Sequence, residues 1–246
     1  MNAIILAAGL GTRLRPLTDD RPKALVEVAG VPMLEHQIKK LRAAGFKRIV
    51  VNVHYMAQQI VDFLAEKDNF GIEILVSDES NLLLDTGGGI ARAAAMLGSN
   101  EPVLVHNVDV FSSVDLAGLY RRAMDCDALL LVQERESSRM LYFGDDMRLA
   151  GWKNMKTGEK KSPFEGFCEG DYSPYAFSGI HVLGSGLMRR MPAGEAFPLI
   201  PFYLSQAGGL NIKGELFPLS GSWVDAGRVG DLGRAAEIVK NFYCKP

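Results

Sequence analysis

With 246 residues, 48% of them apolar and 23% charged, the chain has globular composition and is long enough for a single α/β domain. Its formal net charge of −2 gives no broad basic field for a nucleic-acid backbone, so an anionic ligand must be held by a local cluster. No apolar run nears membrane-spanning length, and Cys126, Cys168 and Cys244 share no metal-ligand spacing, so a soluble cytoplasmic protein with incidental thiols and no membrane or nucleic-acid partner is expected.

The first apolar run, "AIILAA" (3–8), has strand length and leads straight into "LAAGLGTRLRPLTDDRPKALVEVAG" (6–30). A glycine loop there lets backbone N–H groups approach a triphosphate, and Arg13 and Lys23 add fixed cations. Pro16 and Pro22 stiffen the segment and lower the entropy of ordering it. Leu14 stands where a dinucleotide fingerprint needs its third glycine, and no phosphate loop ending in Gly-Lys-Ser/Thr occurs.

Beyond this loop, Leu34, Ile38 and Leu41 repeat at helical spacing, with Lys39, Lys40 and Arg42 facing away and Gly45 as a stop. "RIVVNV" (48–53), "IEILVS" (72–77), "PVLVHN" (102–107) and "DALLLVQ" (127–133) are continuous apolar runs that suit strands buried on both faces. Helical stripes at Ile60, Phe63 and Leu64, and at Leu116, Leu119 and Tyr120, separate them. This alternation predicts a parallel sheet with helices on both faces over 1–133. The second half is less regular: "RMLYF", "RLAGW", "YAFSGIHVL" and "NIKGELF" read as strands, some antiparallel, with a long turn-rich excursion between Trp152 and Tyr175. A last helix is expected over 229–242 with Leu232, Ala236 and Val239 as its stripe, and no internal repeat is present.

The stretch 6–30 resembles the signature of the sugar-1-phosphate nucleotidylyltransferases. The likeness continues in their order: "DTGGGI" (85–90) is similar to a base-proximal glycine turn, "HNVDVF" (106–111) to a metal-binding strand end, and "SGSWVDAG" (220–227) to a late W-x-D-x-G element. It implies a Rossmann-like, mixed but mainly parallel sheet flanked by helices, with a smaller antiparallel sugar-binding part. One domain is expected over 1–246: a nucleotide-binding core (1–133), an acceptor-binding part (134–227) and a C-terminal helix (228–246). Val108 stands where the family usually has glycine, so a side chain is expected beside the substrate.

The implied reaction is attack of a sugar 1-phosphate oxygen on the α-phosphorus of UTP or GTP, giving a nucleotide sugar and pyrophosphate. The site must then gather positive charge. Mg²⁺ is the implied cofactor, held by Asp109 and Asp225, with Arg13 and Lys23 as catalytic cations. Nucleotide contacts are expected from Leu6, Ala7, Ala8, Gly9, Gly11, Thr12, Thr86, Gly87 and Asn107, with the base read by 78–87, where Asp78, Glu79 and Asn81 offer polar groups. For the acceptor the resemblance implies a strand lysine, here Lys153, with Lys156, Lys160 and Lys161 as alternatives, and a close backbone approach at Gly179. An ionised phosphomonoester needs no general base, and His36, His54, His106 and His181 are read as core or surface residues. A monomer or small homo-oligomer is expected. Two other readings stay open: cytidylyl transfer to a non-sugar phosphomonoester such as phosphocholine, and a non-catalytic regulatory protein of the same fold.

Overall fold

A computed structural model of the chain describes residues 1–98 and 100–243; Cys244 lies outside them. In chain order the strands are β1 (Asn2–Leu6), β2 (Glu27–Val28), β3 (Val31–Pro32), β4 (Arg48–Val53), β5 (Glu73–Asp78), β6 (Val103–Asn107), β7 (Val110–Ser112), β8 (Ala128–Gln133), β9 (Arg139–Phe143), β10 (Leu149–Asn154), β11 (Lys160–Lys161), β12 (Ser173–Leu183), β13 (Ile212–Leu216) and β14 (Trp223–Asp225). The helices are α1 (Met33–Ala43), α2 (Ala57–Glu66), α3 (Asp85–Leu97), α4 (Leu116–Arg122), α5 (Ser185–Met188), α6 (Leu199–Ala207) and α7 (Leu232–Ile238). None of them is long and apolar enough to cross a membrane.

Strands β5, β4, β1 and β6 lie side by side and parallel. Strand β12 then runs antiparallel to β6, and further along its length to β8 and β9, so the second half of the chain extends the same sheet. Side chains alternate between the two faces of a strand, which explains the continuous apolar runs. Ala3, Ile5, Ile49, Val51 and Leu104 face α1, α2, α4 and α7. Ile4, Val50, Val103 and Val105 face α3, α5 and α6. The mixed, mostly parallel sheet flanked by helices is thus the architecture the sequence predicts.

Two local expectations change. "DTGGGI" is the first turn of α3 and no separate glycine turn: Asp85 opens it with φ +57, and Gly87 and Gly88 let the helix lie against Phe197 and Glu195. The excursion after Trp152 folds back as the hairpin β10–β11. Its return is held by Glu169, which accepts from Lys153, Lys160 and Tyr142, beside a small cluster of Tyr142, Phe167 and Tyr172. Leu232, Ala236 and Val239 pack on the core as expected of the last helix.

Candidate active site

The cleft forms at the C-terminal ends of the parallel strands, where open α/β sheets gather their loops. Leaving β1, the backbone of Ala7 donates to the Asn52 Oδ1 at 2.8 Å and to its carbonyl at 3.2 Å. The loop that follows is short 3₁₀ turns pinned by buried Leu14 and Ala24, with Thr18 Oγ1 donating to the Gly11 carbonyl at 3.0 Å. Pinning these neighbours leaves Arg13 and Lys23 to face the cleft. Lys23 Nζ donates to Asp109 Oδ2 at 2.7 Å.

Asp109 sits in the tight turn between β6 and β7 and is 4% exposed. Val108, beside it, points the other way into the core, so the expectation that its side chain crowds the substrate is corrected: the turn sends alternate side chains to opposite sides. Strand β14 pairs with β7 so that Asp225 lies opposite Val110, and Ala226 N–H donates to the Asp109 carbonyl at 2.8 Å. The convergence is sharpest at Gly227. A Cβ built there would lie 2.7 Å from Arg13 Nη2, 2.7 Å from Asp225 Oδ1 and 2.9 Å from Asp109 Oδ2.

Electrostatics separate the two carboxyls. Burial pushes Asp109 up, but the Lys23 charge and hydrogen bond outweigh it and leave Asp109 below the usual carboxylate range. Burial and then the Asp109 charge hold Asp225 above that range. Two hard carboxylate donors meeting over a missing side chain fit a divalent metal of the Mg²⁺ kind, which leaves its other positions to phosphate oxygens and water. Among the described residues no group of three or more His, Cys, Asp or Glu side chains is placed to hold a metal ion.

Leu6, Ala8, Gly9, Arg13, Lys23, Thr86, Asn107, Asp109 and Asp225 line one cleft of about 810 Å³. Ala7, Gly11, Thr12 and Gly87 stand behind or outside its lining. Asn52, which the sequence did not single out, and Glu79, which it placed only loosely, also line the cleft. Asn52 Nδ2 donates to Glu79 Oε1 at 2.9 Å, and Leu84 N–H donates to Glu79 Oε2 at 3.2 Å. The polar pair is buried and fully tied together beside the Ala7 backbone.

Lys153, the lysine expected for the acceptor, is placed away from the cleft. Lys153 pairs with Glu169 at 2.6 Å and is outside the cleft lining, because β10 turns Trp152 to the cleft and Lys153 to the opposite face. Lys161, Trp152, Arg139 and Phe177 line the cleft instead. Gly179 (φ +78) makes the irregularity of β12, and a side chain there would strike Asn107. Its effect on the cleft passes through Asn107. His181 also lines the cleft, where the sequence offered no spacing to mark it.

The nucleotidyl transferase family profile matches residues 2–144. An N-acetylmuramate alpha-1-phosphate uridylyltransferase of Caulobacter vibrioides is 36% identical over 231 residues, covering 92% of this chain and 91% of that protein. A mannose-1-phosphate guanylyltransferase of Mycobacterium tuberculosis is 28% identical, covering 100% of this chain and 67% of its own. The crystal structure of HddC from Yersinia pseudotuberculosis complexed with GMP-PN superposes with a TM-score of 0.74 at 23% identity, over 96% of this chain and 98% of that one. The chain belongs to the nucleotidyl transferase family.

Proposed function

We propose that the chain transfers UMP from UTP to a sugar 1-phosphate and releases pyrophosphate, at the end of the cleft where Asp109 and Asp225 meet. The observation that carries this is the convergence of Arg13, Asp109 and Asp225 on the space left by Gly227, with Lys23 bonded to the first carboxylate. Asp109 and Asp225 would hold Mg²⁺, which when bound neutralises developing charge on the phosphates. Lys23 reaches the α-phosphate and Arg13 the departing pyrophosphate, a role its planar fork suits. The acceptor phosphate is already ionised and attacks in line without a general base.

The polar pair Asn52–Glu79 supports uracil over guanine. Both Glu79 oxygens already accept from the protein and the residue is 1% exposed, so little of this carboxylate is presented to the paired donors of guanine. Asn52, bonded to the Ala7 N–H and to Glu79, is equally committed, so the loop backbone after β1 is left to read a uracil edge. The uridylyltransferase relative brings N-acetylmuramate 1-phosphate to the head of the acceptor panel. The test is pyrophosphate release with each of the four NTPs against that sugar, mannose 1-phosphate and phosphocholine. Release with UTP and a sugar 1-phosphate is expected; CTP with phosphocholine as the active pair would overturn the proposal.

A further inference from the structure

On the acceptor side of the cleft one cation has no ion-pair partner among the described residues. Four cationic side chains stand on β9, β10 and β11: Arg139, Lys153, Lys160 and Lys161. Lys153 and Lys160 share Glu169, and Lys161 pairs with Glu159 at 3.1 Å while lying over the Trp152 ring at 5.5 Å. Arg139 makes no ion pair among the described residues. Strand register shows where it faces. Trp152 pairs with both Leu141 and Lys161, and Arg139 lies two residues before Leu141, so these four share one face. Arg139, Trp152 and Lys161 all line the cleft, while Met140, Tyr142 and Lys153 belong to the opposite face.

A second unsatisfied group lies in the same cleft. His181 is 1% exposed, lines the cleft from β12, and neither ring nitrogen has a hydrogen-bond partner among the described residues. Burial holds its pKa near 3, so at neutral pH the ring is uncharged and offers one donor and one acceptor. Such a group suits a hydroxyl or amide on a sugar ring. An arginine fork suits a carboxylate.

We infer that Arg139 is a specificity-determining residue that binds a carboxylate carried by the acceptor sugar. This rests on the transferase reading above. The reacting phosphate belongs with Arg13, Lys23, Asp109 and Asp225, and Arg139 serves the far side of the ring. His181 takes a neutral polar substituent between them.

The test compares N-acetylglucosamine 1-phosphate with its 3-O-lactyl ether, which differ by the carboxylate-bearing group, as acceptors for UTP. The parent should favour the lactyl ether in kcat/KM. Arg139→Gln should reduce that preference by about 30-fold, the effect of one hydrogen bond to a charged group, and Arg139→Lys should restore part of it. Dissociation constants for the two sugars by calorimetry read the same ratio without turnover. An equal loss for both acceptors would place Arg139 on the shared phosphate and overturn the inference. So would a parent that does not discriminate between them. A calorimetric preference in the absence of any pyrophosphate release would uphold the Arg139 assignment and refute the transfer reaction.

Discussion

Replacing Gly227 by alanine tests the reacting centre without removing any of its functional groups. The added methyl would stand 2.7 Å from Arg13 Nη2 and Asp225 Oδ1 and 2.9 Å from Asp109 Oδ2, which is 0.7 and 0.5 Å short of the 3.4 Å at which ordinary contact begins. Gly227 has no positive φ, so the backbone accepts alanine and the strain falls on the side chains. Asp109 cannot yield easily, because Lys23 and a buried turn hold it. The movement is therefore shared by Arg13 and Asp225, on the order of half an ångström each, and a misplacement of ~1 Å near reacting groups costs about 100-fold in rate. Overpacking costs roughly 1–3 kcal/mol, a fall in Tm of a few degrees for a domain of this size. Steady-state pyrophosphate release and a thermal melt read the two effects separately. A folded Gly227→Ala protein with kcat within threefold of the parent would show that the three groups do not act at this point.

Asp225→Asn should lower kcat by about 100-fold or more across a Mg²⁺ titration, yet leave Tm unchanged or higher, because it removes the repulsion with Asp109. Arg13→Ala should lower the single-turnover rate more than it weakens UTP binding, since charge on the leaving pyrophosphate grows in the transition state. Lys153→Ala should raise protease cleavage within 155–172 and leave the acceptor KM within threefold of the parent, because its partner is Glu169 outside the cleft. Hydrogen bonds from Lys153 and then Lys160 hold the Glu169 carboxyl down at about 2, from an ordinary 4.5. A depressed carboxyl stabilises the fold above its unfolded pKa, so this contribution is present at neutral pH and is lost as pH falls from about 4.5 through 2. The parent should become as protease-sensitive as Glu169→Gln over that window.

How much of this was legible depends on whether a segment is governed by its own residues or by distant ones. The strands of the first half were readable because burial on both faces demands continuous apolar runs, and "RIVVNV" coincides with β4 end to end. That Arg13, Lys23, Asp109 and Asp225 line one cleft accords with the resemblance carried by segments 6–30, 106–111 and 220–227. Helix α3 was hidden because its glycines serve contacts with Phe197 and Glu195, about a hundred residues away in sequence. Helix α6 was hidden by Pro201, which its first turn tolerates because no intrahelical N–H bond is lost there. Lys153 shares the face of Gly151 as its spacing implies, but that this face points away from the cleft is set by an irregularity of β10 between Leu149 and Gly151, which only pairing with β9 reveals. Glu79 lay in a segment rich in polar residues, and burial alone distinguishes it from Asp78 and Asn81.

The charge arithmetic of the site explains why its parts must act together. Asp109 and Asp225 face Lys23 and Arg13, two negative groups against two positive, so the protein's own side chains leave no net positive charge where the reactants meet. On the proposed reaction, a triphosphate and a sugar phosphate would both bring negative charge to that point. Without a further cation, binding would add repulsion at a place where Asp225 is already held above its usual pKa by burial and by Asp109. A divalent ion held by Asp109 and Asp225 would relieve their mutual repulsion, and Lys23 and Arg13 would then be free to act on phosphate oxygens. Metal and nucleotide should therefore bind with positive coupling. A UTP titration by calorimetry should show a tighter Kd in Mg²⁺ than in EDTA by at least tenfold, and Asp225→Asn should remove most of that difference. Equal affinity with and without the ion in the parent would mean the two carboxylates are not the seat of the coupling.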